Sequence, residues 1–181
     1  MVARLQERYR TEVTRALVER FGYKNLLAVP KLEKIVVSAG IGDGEEDAAK
    51  LEAAQKQLGL IAGQRPVVTR AKKAISNFKI RAGNKVGLKV TLRGARMYEF
   101  LDRLISLAIP RVKDFRGLKP SGFDGRGNYN MGLVEQSVFP EIDPSTITFT
   151  QGMNIAMRTS AKTDEEAREL LSLLGMPFRT D

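Results

Sequence analysis

Apolar residues change period along this chain, and that change constrains its fold more than any other feature. Leu5, Tyr9, Val13, Leu17 and Phe21 recur at four-residue steps, with Arg4, Arg8, Arg10, Arg15 and Arg20 among them. This spacing predicts an amphipathic helix ending at Gly22, with one face in a core and the rest positively biased. Val86, Leu88, Val90 and Leu92 instead alternate with Lys89, Thr91 and Arg93. A period of two predicts a strand whose apolar face packs on helices and whose Lys/Thr/Arg face looks outward.

The remaining segments follow the same logic. Residues 32–38, with Ile35-Val36-Val37, read as a strand. The Gly40-Ile41-Gly42-Asp43-Gly44 turn and an alanine-rich helix from about Glu45 to Ile61 come next. Val67-Val68-Thr69 is a short strand. Residues 96–107 return to helical spacing through Met97, Phe100, Leu101, Leu104 and Ile105, and Pro110 stops them. Residues 114–130 are dense in Gly, Pro, Asp and Asn and read as a loop or arm rather than regular structure. Residues 154–160 can form a last strand. Thr163-Asp164-Glu165-Glu166 is a capping box for a final helix carrying Ala167, Leu170, Leu171 and Leu174, closed by Gly175 and Pro177.

This order predicts an α+β fold: an antiparallel sheet with helices on one face, an N-terminal helix and a loop-rich arm. A chain of 181 residues is long enough for one such domain and buries about 70% of its unfolded surface. The expected organisation is a single domain, with a core over about 1–110 and 150–181 and an arm over about 111–149.

Function is narrowed first by what is missing. The chain has no Cys and no His. That removes thiolate nucleophiles, disulfides, the commonest metal ligand and every Ser-His or Cys-His catalytic arrangement. No catalytic residue, metal site or cofactor is expected. The N-terminus shows no secretory signal, and no uninterrupted run of 18 apolar residues occurs, so a cytoplasmic protein with no membrane span is expected.

Charge then points to the partner. The net charge is +9 and the pI about 9.9. From residue 53 to 98 there is no Asp or Glu, while 11 Lys and Arg are present: Lys56, Arg65, Arg70, Lys72, Lys73, Lys79, Arg81, Lys85, Lys89, Arg93 and Arg96. A surface kept soluble by charge intersperses both signs, whereas this stretch offers its cations no partner of its own and suits a polyanion. Within it, residues 69–81 combine cations for phosphates with Ser76 and Asn77 for sugars or base edges. The one aromatic there, Phe78, is more often core than a stacking platform.

Two other motifs carry less. The glycine turn at 40–44 lacks G-x-G-x-x-G spacing, and Asp43, Glu45, Glu46 and Asp47 suit a helix N-terminus but would repel phosphate. A phosphometabolite enzyme built on that turn is the second reading, and a basic peripheral membrane protein the third. Residues 124–130 (DGRGNYN) lack the ligand spacing of a calcium loop and hold Arg126, and their glycines suit a backbone lying close to a partner.

Three strings, TRAKKAISNFKIR (69–81), GLKVTLRGARMYEFL (87–101) and DFRGLKPSGFDGRGNYN (114–130), together resemble the bacterial large-subunit ribosomal protein five family, the 5S rRNA-binding proteins of the central protuberance. The arginine-rich first helix, the Gly40 turn and the ending TDEEARELLSLLGMP (163–177) extend the resemblance over nearly the whole chain. It implies an RRM-like, ferredoxin-like fold in the cytoplasmic ribosome's large subunit, among other large-subunit rRNA and proteins. It implies 5S rRNA contacts at Ser38, Gln64, Lys89, Thr91 and Arg93. It further implies that the loop carrying Arg70, Lys72, Lys73, Ser76, Asn77, Phe78, Lys79 and Arg81 reaches the peptidyl-site tRNA. A bridge to the small-subunit head protein thirteen is implied too, with Arg111, Lys113, Asp114 and Arg116 as its candidates. The chain departs from the family pattern at Ser38, where Asn is common, at Ala95, where an acid is common, and at Gln151 and Asn154, which replace Arg and Asp. Ser supplies one of the hydrogen bonds of Asn, not both. The loop at 70–85, with Gly83-Asn84 as a turn at which to fold back, is further expected to be mobile in the free protein and kept extended by the mutual repulsion of its cations until phosphates arrive.

Overall fold

The computed structural model describes residues 2–42 and 48–179. Its strands are β1 (Leu32–Gly40), β2 (Val67–Arg70), β3 (Lys85–Leu92), β4 (Tyr129–Leu133) and β5 (Met153–Thr159). They form one sheet in the order β2-β3-β1-β5-β4. The helices are α1 (Arg4–Arg8), α2 (Thr14–Phe21), α3 (Ala48–Ala62), α4 (Gly94–Arg103) and α5 (Asp164–Leu173). Taken without β4, the succession β1-α3-β2-β3-α4-β5 in the order β2-β3-β1-β5 is a split βαβ arrangement, the ferredoxin-like antiparallel α+β fold.

Two compact units are distinguished within it. The first comprises Met1–Ile35, Leu92–Met131 and Ile155–Asp181. Here α1 and α2 are joined through π-helical Tyr9–Val13 with right-handed backbone throughout. The four-residue stripe does what its spacing predicts: Leu5, Val13 and Leu17 are buried, and Tyr9 and Phe21 half-buried. Arg4 makes a two-pronged ion pair with Asp102 (Nε–Oδ2 3.0 Å, Nη2–Oδ1 2.5 Å), and Arg20 pairs with Glu169. α4 buries Met97, Phe100 and Leu101 and runs on as a π-helical turn, Leu104–Ala108. Pro110 then sits inside a short 3-10 turn, Ile109–Arg111. α5 opens on Thr163, whose side chain accepts the Glu166 N–H at 3.3 Å. The Glu166 carboxylate accepts from the Lys162 backbone N–H at 2.9 Å, one residue before the cap.

In this unit Tyr98 is buried beside Tyr9, with ring centroids 6.5 Å apart. Burial, reinforced by the neighbouring Tyr9, pushes its phenol up from 10.0 to about 12. Between those values the unfolded chain releases a proton that the folded chain retains. Stability is therefore expected to be intact below pH 10 and to fall as pH rises toward about 12. Thermal melts paired with tyrosinate absorbance check this; a melting temperature flat across that range counts against it.

The arm is only partly irregular. Residues 129–133, the first two of which fall in the expected 114–130 loop, form β4, and Tyr129 packs with Phe123 and Phe178 at centroid separations of 4.7 and 5.2 Å. Tyr129, Met131 and Leu133 do alternate with Asn130 and Gly132, but the run is only five residues long, holds two residue types depleted in strands and continues a Gly- and Asn-rich segment, so it reads as loop. The 124–130 turn binds its own chain. Asp164 accepts the N–H groups of Gly125 (3.0 Å) and Gly127 (2.8 Å), and Asp124 accepts those of Arg126 and Asn128. Gly127 has φ +77, and a Cβ there would lie 2.8 Å from the Ala161 carbonyl oxygen. The close approach expected toward a partner is thus an approach to Ala161 of the same chain.

The second unit comprises Val36–Thr91 and Gly132–Asn154. α3 buries Leu51, Ala54, Leu58, Ile61 and Ala62. The expected acidic start of that helix, Asp43 to Asp47, lies outside the described residues. Among the described residues of this unit Gln136 is the buried polar one: its Nε2 donates to the Phe149 carbonyl at 2.7 Å and its Oε1 accepts from the Gln151 N–H at 2.6 Å. Satisfied on both sides, it ties the chain after β4 to the approach to β5.

Candidate nucleic-acid interface

β3 decides which side of the sheet is open. Leu88, Val90 and Leu92 are 0–2% exposed, while Lys89 is exposed and Thr91 half-buried. Arg93 follows in extended backbone (φ −141°, ψ 163°) as the N-cap of α4, so it keeps the parity of Lys89 and Thr91 and is exposed. The face assigned from alternation is the face found.

β2 pairs antiparallel with β3 in the register Val67↔Lys89, Val68↔Leu88 and Thr69↔Gly87. Directly paired residues share a side, so Val67 and Thr69 join Lys89 and Thr91 on the open face. Val67 is 69% exposed. Gly87 has the same parity but is buried, and a Cβ there would fall 2.6 Å from the Ala39 carbonyl oxygen and 3.2 Å from Thr69 Oγ1. Only a glycine leaves those strands their spacing at that point. On β1, Ile35, Val37 and Ala39 are buried, with half-buried Val36 and Ser38 alternating between them. Sequence reasoning missed Val67 and Thr69, because a four-residue strand is too short for alternation to assign a side without its pairing register.

Gln64 is half-buried in the turn between α3 and β2, where it lines a cleft with Gln55, Lys56, Gly59 and Arg65. Gln151, in place of the arginine of the family pattern, donates from Nε2 to the Gly40 carbonyl at 3.1 Å and so holds the end of β1. Asn154 is exposed on β5, and Ala95 is exposed in the first turn of α4.

The segment between β2 and β3 is not extended, contrary to expectation. Ala71 N–H donates to Asn84 O (2.8 Å), Gly83 N–H to Ala71 O (2.9 Å), and Ile75 and Ile80 exchange bonds of 2.9 and 3.1 Å. The Arg70 guanidinium closes the base onto the Gly83 carbonyl at 3.0 Å. Backbone hydrogen bonds thus fold it into a hairpin despite its charge. Lys72, Lys73, Lys79 and Arg81 stand exposed along it, with Ser76, Asn77 and Phe78 in a 3-10 turn at the tip. Phe78, for which core was the commoner expectation, is 72% exposed.

Arg111, Lys113, Asp114 and Arg116 are all exposed, on the segment leaving the 3-10 turn Ile109–Arg111. Among the described residues no group of three or more acidic side chains is placed to hold a metal ion, and no helix is long and apolar enough to cross a membrane.

The chain matches two family models, "Ribosomal protein L5" over residues 25–81 and "ribosomal L5P family C-terminus" over residues 85–178. It belongs to the ribosomal protein L5 family. Similar proteins include the large ribosomal subunit protein uL5 of Caldanaerobacter subterraneus subsp. tengcongensis, 59% identical over 177 residues, which span 98% of this chain and 99% of the relative. The uL5 proteins of Thermosipho melanesiensis and Thermus aquaticus are 60% and 58% identical, each over 97% of this chain and 96% of the relative. The L5 family is structural rather than enzymatic, in keeping with a chain whose distinguishing surface is an open sheet face beside a basic hairpin.

Proposed function

We propose that this chain anchors 5S rRNA through its open sheet face, with Ser38, Gln64, Lys89, Thr91 and Arg93 as the contacts, while the basic hairpin reaches the peptidyl-site tRNA. As a member of the L5 family it is a structural constituent of the large ribosomal subunit, and its mechanism is binding rather than chemistry. The exposed Arg111, Lys113, Asp114 and Arg116 are assigned to an intersubunit bridge with the small-subunit head protein thirteen.

The observation that carries this reading is the two-sidedness of β3. An apolar face at 0–2% exposure backs a polar face of Lys89, Thr91 and Arg93 inside the acid-free stretch. Phosphates are met by the cations, and Ser, Thr and Gln can reach sugar hydroxyls and base edges. At Ser38 a hydroxyl stands in place of the amide of Asn, which can donate and accept side by side, so this position is expected to carry the smallest share.

The division of labour between the two RNAs is open to test. Replacing Lys72, Lys73 and Lys79 together by Ala is expected to leave incorporation of the protein and of 5S rRNA into large subunits nearly intact. Peptidyl-site tRNA should dissociate faster from ribosomes carrying the variant, with the salt slope reduced by about one unit or somewhat less per lost phosphate contact. Unchanged tRNA release together with defective 5S assembly would mean that the two RNA surfaces are exchanged.

A further inference from the structure

The tip of the hairpin carries an apolar surface that electrostatics does not explain. Phe78 is 72% exposed and Ile75 is 48% exposed. The two isoleucines of the Ile75↔Ile80 bridge lie immediately behind a 3-10 turn, Ser76–Phe78, that ends on Lys79 in left-handed backbone (φ 53). A lysine in that conformation is uncommon and marks a sharply turned tip held by the rung beneath it. The aromatic ring is therefore presented outward on a hydrogen-bonded base rather than trailing from an open loop. Its surroundings are Lys72, Lys73, Lys79 and Arg81, all exposed, in a stretch without a single acid.

We infer that Phe78, with Ile75 beside it, is a stacking platform for an accessible nucleobase of the RNA that the hairpin meets. An apolar protein pocket would gain from Phe78 and Ile75 but would have to bury four cations around them without counter-charge. A nucleic acid supplies both needs at once, with phosphates for the lysines and a base face for the ring. A lone exposed aromatic has little reason to stand at such a site in water, and every base offers a π face, so the contact tolerates sequence but requires an unstacked or terminal base. Hairpin binding then has two separable parts, one salt-dependent from the cations and one salt-insensitive from the ring. The inference rests on the reading that the hairpin's RNA is the peptidyl-site tRNA.

The test uses ribosomes reconstituted with the full-length chain and tRNA in the peptidyl site. Phe78→Ala is expected to speed tRNA dissociation about 5- to 150-fold, the range of a lost base–aromatic stack, without altering the salt slope, because a neutral ring releases no counterion. Phe78→Trp is expected to restore retention. Benzoylphenylalanine placed at position 78 should cross-link to a tRNA nucleotide on irradiation. Because Phe78 is exposed, its removal is expected to leave the melting temperature unchanged, which separates lost stacking from misfolding. If Phe78→Ala leaves release unchanged while Lys72→Ala, Lys73→Ala and Lys79→Ala together accelerate it, the platform is refuted and the tRNA reading stands. If neither variant changes release, the hairpin does not hold this tRNA and both fall. A cross-link to a protein, or to ribosomal RNA instead of tRNA, overturns the assignment of the partner.

Discussion

Leu92→Ala is expected to lower the stability of the protein by about 2 to 5 kcal/mol, the cost of deleting a buried leucine and leaving part of its volume empty. Leu92 is 0% exposed, as are Phe100 and Leu101 of the helix that follows it. Its sequence neighbours should behave in the opposite way. Thr91→Ala and Arg93→Ala are expected to change stability by about 0.5 kcal/mol or less, as at surface positions generally, while weakening 5S rRNA binding by the folded protein. Urea titration of the three variants, paired with gel-shift titration against 5S rRNA, separates the two effects. A sharp loss of stability with intact folded-state affinity in either surface variant would mean that the faces of β3 are assigned the wrong way round.

The affinity for 5S rRNA is expected to fall about 50- to 150-fold between 50 and 200 mM salt. Outside the hairpin, Lys56, Arg65, Lys89 and Arg93 are exposed. If each neutralises one phosphate, counterion release gives a log-log slope of about −3 to −3.5. The slope is expected to be the same for the variant lacking Lys72, Lys73 and Lys79, because the proposed reading gives those cations to the other RNA. A slope near zero would remove the electrostatic basis of the interface. A slope that drops in the triple variant would place the hairpin on 5S rRNA.

Much of the candidate interface is legible in the amino-acid sequence, and for a local reason. The side of β3 that faces water follows from period-two alternation over Val86 to Arg93, which needs no knowledge of the partner strands. The helical stripe of Leu5, Val13 and Leu17 and the Thr163 cap are equally local, since their periods and hydrogen bonds close within one or two turns. The absence of Cys and His, and of acids between 53 and 98, bounds the chemistry by composition alone.

Tertiary structure decided what depends on residues distant in sequence. The order β2-β3-β1-β5-β4 and the register Val67↔Lys89 placed Val67 and Thr69 on the open face, which no window of the sequence could do. β4 is a strand because it pairs with β5, and its Tyr129 packs with Phe123 and Phe178, although Asn130 and Gly132 are weak strand formers. The basic segment folds back because its backbone groups pair from Ala71 to Asn84, and those bonds outweigh the charge repulsion that composition emphasises. Phe78 shows the limit most clearly: whether an aromatic is covered depends on what packs over it, and the described residues leave most of this ring open. Periodicity reports which side of an element is apolar, whereas burial is a property of the neighbours that the whole fold brings to it.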